Sequence, residues 1–300
     1  MPAREAPATL FCPTATWRLA RGTGLLPRPE LLVTMEKAAL GGEGPGKRRL
    51  AEILRPPLLA AATRLLRARL RRLRSARVPR PGRVRFGDLR RVRPFSEWFG
   101  FDRGTPLDRL YIEGFLARCS ADIRGRVLEV GDNAYTLRFG GAAVTRSDVL
   151  HVDASNRHAT IIGDLSDGAG LPEAAFDCIV LTQTLHLIHD LPRAVATLQR
   201  MLVPGGVLLA TAPGVSSVDR GEWGASWHWS LTPLSLERLL KDRFGEAEVA
   251  VESHGNVLTA AGFLYGLAAE EFTPAELAAE DPRYPVIVAA RAVKSKGALR

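Results

Sequence analysis

From Arg126 onward the chain alternates short apolar runs with helical stretches. The runs Arg126–Val130, Val149–Asp153, Thr160–Gly163, Phe176–Thr182, Gly206–Ala212, Glu246–Glu252 and Pro285–Ala292 read as strands. Leu191–Leu202 and Pro233–Asp242, lying between them, carry helical periodicity. Strands that alternate with helices join into a mostly parallel sheet with helices on both faces. The expected fold class is therefore α/β, with a seven-stranded sheet. No internal repeat is present.

The N-terminal third is different. Residues 1–46 mix Pro, Gly and Ala without a sustained period and end in Gly41-Gly42-Glu43-Gly44-Pro45-Gly46, the composition of a flexible leader. Met35 offers an alternative start within it. Residues 47–93 hold 17 Lys/Arg against Glu52 and Asp88, a balance of +15, which leaves −6 on the remainder of a chain whose total is +9. Leu50, Ile53, Leu54, Leu58, Leu65, Leu66, Leu70 and Leu73 recur there at helical spacing. We expect a basic amphipathic helical extension that packs on a partner or on the domain, or lies on an anionic membrane surface. Nucleic acid is a poor fit, since no aromatic residues interleave the arginines. The domain division expected is thus 1–46, 47–93 and 94–294.

Composition narrows the rest. Hydrophobic residues make up 46% of the chain, enough for a real core, and mean hydropathy is close to zero. No apolar run reaches membrane-spanning length, and no signal-type apolar segment opens the chain. Cys12, Cys119 and Cys178 form no CxxC pair, which argues against a structural zinc site and for a reducing compartment. The expected location is cytoplasmic, with the basic extension able to meet the inner face of a membrane.

Several strand ends carry polar residues in order. Val127-Leu128-Glu129-Val130-Gly131-Asp132-Asn133 is an apolar strand ending in an acid and a glycine turn, where a backbone can approach a ligand closely. Asp153 follows 22 residues after Gly131, the spacing at which a carboxylate accepts ribose hydroxyls; its other use is a helix N-cap. Gly163-Asp164-Leu165 ends the third strand, and Phe176–Thr184 forms the fourth with its exit. Arg200–Leu209 reads as helix, Pro204-Gly205-Gly206 turn and fifth strand. A Rossmann dehydrogenase is the competitor, but its GxGxxG is missing from Gly131-Asp132-Asn133-Ala134-Tyr135-Thr136.

Taken in order, these segments resemble class I S-adenosylmethionine-dependent methyltransferases over residues 121–213. The resemblance implies a Rossmann-like methyltransferase sheet that binds S-adenosylmethionine. It implies cofactor contacts at Glu129, Gly131, Asn133, Tyr135, Asp153, Asp164 (adenine amino group), Leu165 and Thr182. Asn133 and Tyr135 stand where the family has glycines; Asn133 is the residue better able to keep a left-handed turn. The run Trp98–Glu113, with Asp132–Thr136 and Leu181–Leu185, is similar to a bacterial group associated with glycosyltransferases and surface-polysaccharide synthesis. There an N-terminal helix closes over the methionine end, for which Tyr111, Arg103 and Arg109 are candidates.

Methyl transfer is a displacement at a sulfonium carbon, so positioning dominates, and an O–H or N–H acceptor needs a proton acceptor. His186 and His189 after the fourth strand, and His228 after the fifth, are the catalytic candidates. Trp223, Trp227 and Trp229 offer aromatic faces for sugar C–H groups or flat rings, and Arg103 is a further candidate for the substrate. The alternatives for each are ordinary: packing histidines, tryptophans that anchor a loop, an arginine in a surface ion pair. The expected function is methyl transfer to a small molecule or saccharide, most simply at oxygen. The alternative is a non-catalytic module of this fold in a glycan-assembly complex.

Overall fold

The computed structural model describes residues 78–296, Glu222 excepted. The expected leader and most of the basic helix lie outside the described residues. Val78–Arg85 belong to a separate unit and are exposed, with one turn closed by the Arg83 N–H on the Arg80 carbonyl. A second compact unit starts at Phe86.

Seven strands form one sheet: β1 (Gly125–Val130), β2 (Val144–His151), β3 (Ile161–Ile162), β4 (Phe176–Thr182), β5 (Leu202–Pro213), β6 (Val249–His254) and β7 (Ile287–Val293). Their order is β3-β2-β1-β4-β5-β7-β6. β1 to β5 pair in parallel, and β7 runs antiparallel to both of its neighbours. Among the described residues five helices accompany them: α1 (Leu107–Arg118), α2 (Leu191–Met201), α3 (Pro233–Phe244), α4 (Val257–Leu264) and α5 (Pro274–Ala278). This is the Rossmann-like methyltransferase sheet expected from the sequence.

The central strands are apolar on both sides because both faces are covered. Leu128, Ile179, Leu181, Leu208 and Ala210 face α2 and α3, packing with Val195, Leu198, Leu236 and Leu240. Their alternates Val127, Cys178, Val180, Val207 and Leu209 face the other way, against Ile112, Phe115 and Leu116 of α1 and Phe263 of α4. The period of two along a strand sends neighbours to opposite layers. Cys178 is fully buried there and serves as a small apolar residue.

Local signals place the helix starts. Asp190 caps α2 by accepting the Arg193 N–H, with Pro192 in the first turn. Thr232 and Ser235 form a capping box on α3, and Asn256 with Thr259 does the same on α4.

Strand boundaries depart from expectation most at β2, β5 and β6. β2 starts at Val144 and ends at His151, whereas the apolar run suggested Val149–Asp153. Its first half carries Thr145, Arg146, Ser147 and Asp148, so only the buried half was visible as an apolar run. Asp148 is buried by pairing with Arg126 at 2.7 Å. β5 starts at Leu202, and Pro204-Gly205-Gly206 forms an irregularity inside it, where the Gly205 N–H reaches the Lys294 carbonyl at 2.7 Å. β6 starts at Val249, after a turn over Glu246–Glu248. Over the described part of the basic segment, residues 78–93, the regular element is the short turn Gly87–Leu89. None of the described helices is long and apolar enough to cross a membrane.

Candidate active site

The strand order reverses between β1 and β4, and ligands of open α/β sheets sit in the crevice beyond such strand ends. A cavity of about 660 Å³ opens there. Glu129, Gly131, Tyr135, Asp164, Leu165 and Thr182 all line it.

Gly131 carries φ +91°, and a Cβ built on it meets no atom within 4 Å. Backbone conformation, not crowding, demands glycine here. The open space above it is the cavity itself, so a ligand can lie directly on this backbone. The Gly131 N–H donates to the Leu150 carbonyl at 3.0 Å, and its carbonyl accepts from the Asn156 side chain, which ties the turn to the end of β2.

The turn after Gly131 does not need the glycines missing from its motif. Tyr135 has right-handed helical angles, φ −72° and ψ −38°. Asn133 does not take up a left-handed backbone, contrary to expectation. Its side chain donates to Ser147 Oγ at 3.2 Å, outside the cavity lining, and its carbonyl accepts the Leu137 N–H. The turn is instead held by Glu129, whose carboxylate accepts the N–H groups of Tyr135 (3.3 Å) and Thr136 (2.7 Å). Glu129 is 2% exposed, and burial pushes its pKa up to about 7 against the opposing pull of those amides.

Asp153 lies elsewhere than expected. The strand ends two residues earlier, and the residues that line the cavity there are His151 and Val152. The Asp153 carboxylate turns back on its own loop, accepting the Ser155 N–H at 2.9 Å beside His151 Nδ1 at 3.2 Å. Asp164 lines the cavity, and one of its oxygens accepts the Ser166 N–H at 2.7 Å.

Of the three candidates on or just before α1, two are turned away from the cavity. Tyr111 donates its hydroxyl to the Leu277 carbonyl and stacks on His254, in the layer between α1 and the far end of the sheet. Arg103 pairs with Glu271 and lies over Phe95, so the surface-ion-pair alternative is what the geometry shows. Arg109 does line the cavity, donating to the Tyr135 hydroxyl at 2.8 Å.

The histidines do not share a helix. His186 sits in the short turn Leu185–Leu187 and His189 in the extended link before α2, and both line the cavity. His186 is buried, its Nδ1 has no partner, and burial lowers its pKa to about 4, so the ring is neutral at physiological pH. Trp227 contacts it edge-on at 4.3 Å between centroids and stacks on Phe99 at 6.3 Å and 7°. Trp223 also lines the cavity. His228 and Trp229 do not: the His228 N–H bonds the His186 carbonyl, and the Trp229 indole bonds the Ile188 carbonyl. They anchor the loop that presents Trp227.

Sequence reasoning passed over Asp108 and Gln183. Both line the cavity. Asp108 lies in the first turn of α1. Burial raises its pKa, while Arg109 and the facing Gln183 amide oppose the rise. Gln183, the residue after β4, has φ +47°, and its Oε1 is buried without a partner. A left-handed backbone costs a non-glycine residue about 1–3 kcal/mol, and no sequence pattern announces it.

The model of the methyltransferase domain family matches residues 103–258, more than half of the chain. The chain belongs to this methyltransferase family. Its members' cofactor is S-adenosylmethionine, and this methyltransferase has a site that fits it: a strand-end crevice with a glycine backbone bare to the cavity, an acid at the third strand end, and the unpartnered Gln183 and His186 atoms. It is an enzyme of the S-adenosylmethionine-dependent class. Similar solved structures include an S-adenosylmethionine-dependent methyltransferase from Archaeoglobus fulgidus, 13% identical, covering 62% of this chain and 94% of that one at a TM-score of 0.42. The N-methyltransferase NodS from Bradyrhizobium japonicum, in complex with S-adenosyl-L-homocysteine, is 16% identical, covering 64% and 89% at 0.40. A highly reducing polyketide synthase of Strobilurus tenacellus is 31% identical over 111 residues, which is 33% of this chain and 4% of that relative's length.

Proposed function

We propose that this methyltransferase transfers the methyl group to a hydroxyl oxygen of an uncharged small molecule, saccharides among the candidates. One observation supports this most: the cofactor end of the cavity, from Gly131 to Gln183, is continuous with a chamber walled by Phe99, Phe101, Trp223, Trp227 and Phe263. Aromatic faces suit sugar C–H groups and flat rings alike. Among the described residues one guanidinium, Arg109, lines the cavity against five carboxylates, a charge balance that disfavours an acceptor phosphate or carboxylate. The saccharide class draws further support from the similarity of Trp98–Glu113 to methyltransferases associated with polysaccharide synthesis.

When bound, S-adenosylmethionine supplies an electrophilic methyl group on sulfur. The chain's own residues do the rest. The Gly131 backbone and Asp164 hold the cofactor, neutral His186 offers a hydrogen bond to the acceptor, and Trp227 excludes water above it. Positioning of this kind accounts for several orders of magnitude in rate. Isothermal titration with S-adenosylhomocysteine tests the cofactor half; folded protein with no binding at high micromolar concentration sinks it. Transfer of radiolabelled methyl to a panel of neutral sugars and phenols, against nucleotide sugars, tests the acceptor half. Preference for nucleotide sugars would overturn it.

A second reading concerns where the enzyme works. Arg90, Arg91 and Arg93 are exposed beside Phe86 and the fully exposed Val92. We propose that this basic and apolar surface, continuing the segment 47–93, attracts the enzyme to anionic membranes. Flotation with phosphatidylglycerol vesicles, with and without residues 1–93, decides it; equal behaviour of both proteins ends the idea.

A further inference from the structure

Five carboxylates line the cavity, and they are not equivalent. Glu129 has both oxygens committed to the backbone of its turn. Asp132 and Asp164 are exposed and close Asx turns on Ala134 and Ser166. Asp219 accepts the Trp223 N–H at 3.0 Å and holds the tryptophan loop. Asp108 remains. One of its oxygens accepts the Arg109 N–H at 2.8 Å, and the Gln183 side-chain amide also donates toward the carboxylate.

Asp108 is also placed differently. It hangs from the first turn of α1 and faces the Gln183 side chain, immediately beyond the carboxyl end of β4. That is the crevice where the strand order reverses. Phe99 and Phe101, beside it in the lining, belong to the acceptor chamber. The strained backbone at Gln183 aims an amide at this point, and its unpartnered Oε1 leaves an acceptor atom free in the same place. Arg109, the nearest cation, is drawn off to the Tyr135 hydroxyl and forms no ion pair with a carboxylate among the described residues.

We propose that the Asp108 carboxylate faces the transferring methyl group and takes the proton of the acceptor hydroxyl. This rests on the methyl-transfer reading above and deepens it. The acceptor oxygen bonds the methyl carbon as the sulfur–carbon bond breaks, its electron pair staying on sulfur. The hydroxyl proton passes to an Asp108 oxygen and then to solvent. Neutral S-adenosylhomocysteine and the methylated acceptor are left. His186 is less suited to this proton, since its buried ring has no charged partner to stabilise an imidazolium. It orients the acceptor instead.

The test needs no acceptor. Sinefungin carries an amine where S-adenosylmethionine carries its methyl-sulfonium, so a carboxylate facing that position accepts a hydrogen bond from the amine. Binding of sinefungin and of S-adenosylhomocysteine is measured calorimetrically for the wild type and for Asp108→Asn. The variant should bind S-adenosylhomocysteine within about threefold of wild type but lose about tenfold or more on sinefungin, the size of one charge-assisted hydrogen bond. If both ligands weaken together, or neither does, Asp108 does not face the methyl and the inference is overturned. If the wild type binds neither ligand, the methyl-transfer reading falls and takes this inference with it. Should Asp108→Asn fail to fold, a crystal structure of the wild type with sinefungin decides: an amine nitrogen within about 3.5 Å of Asp108 supports the assignment, and one bonded elsewhere refutes it.

Discussion

The Thr136 amide donates to the Glu129 carboxylate at 2.7 Å, so the strand that leads into the cofactor turn also holds that turn in shape. Glycine-rich turns owe their shape to free backbone torsions. Here a buried acid inside β1 does the work from below, and Tyr135 can occupy an ordinary helical conformation.

This arrangement gives a pH signature. The folded pKa of Glu129, about 7, lies above its usual 4.5, so between those values the native state binds more protons than the unfolded chain. Stability contributed through Glu129 therefore falls as pH rises from about 4.5 to 7. Chemical denaturation of the wild type and of Glu129→Gln should show the difference, wild type minus variant, declining over that window by up to about 3 kcal/mol. A flat difference would mean that the carboxylate is solvated.

His186 acts in the opposite sense. Its folded pKa of about 4 lies below the usual 6.5, so the unfolded chain takes up the proton first as pH falls. Stability is full above about 6.5 and is lost toward pH 4. By NMR the His186 ring should stay neutral from pH 8 down to about 5. A midpoint near 6.5 would place it in water rather than against Trp227.

At Gly131 a Cβ finds empty space but a forbidden torsion. Gly131→Ala should cost about 1–3 kcal/mol of stability from the backbone alone, read from the denaturation midpoint. The new methyl would project into the cavity, so affinity for S-adenosylhomocysteine should fall by more than the stability loss accounts for. Unchanged affinity would show that the cofactor does not lie on this backbone.

Gln183 predicts the reverse combination. Gln183→Gly relieves a left-handed backbone at φ +47°, worth about 1 kcal/mol. The same change removes the amide that faces Asp108. The variant should be as stable as the wild type or more so, yet bind sinefungin more weakly. Lower stability with intact binding would assign Gln183 to packing.

Which strands form and what covers them was decided by local chemistry. The alternation Val127/Leu128 and Val180/Leu181 commits each strand to two apolar layers, and Asp190, Thr232 and Asn256 start helices through hydrogen bonds within three residues. Such signals are short-range, so a reader of residues can follow them. The family and its cofactor followed from the same order of strand ends. What a side chain faces is a different matter. Asp153 had the expected spacing, but β2 stopped at His151 and the carboxylate closed its own turn. Tyr111 and Arg109 lie two residues apart on α1, and the helical rotation sends one to Leu277 and the other into the cavity. Asp108 and Gln183 stand 75 positions apart, and only the packing of α1 over the exit of β4 brings them face to face. A site built from such encounters depends on helix rotation and on where strands end, and neither is written in the spacing of the residues that form it.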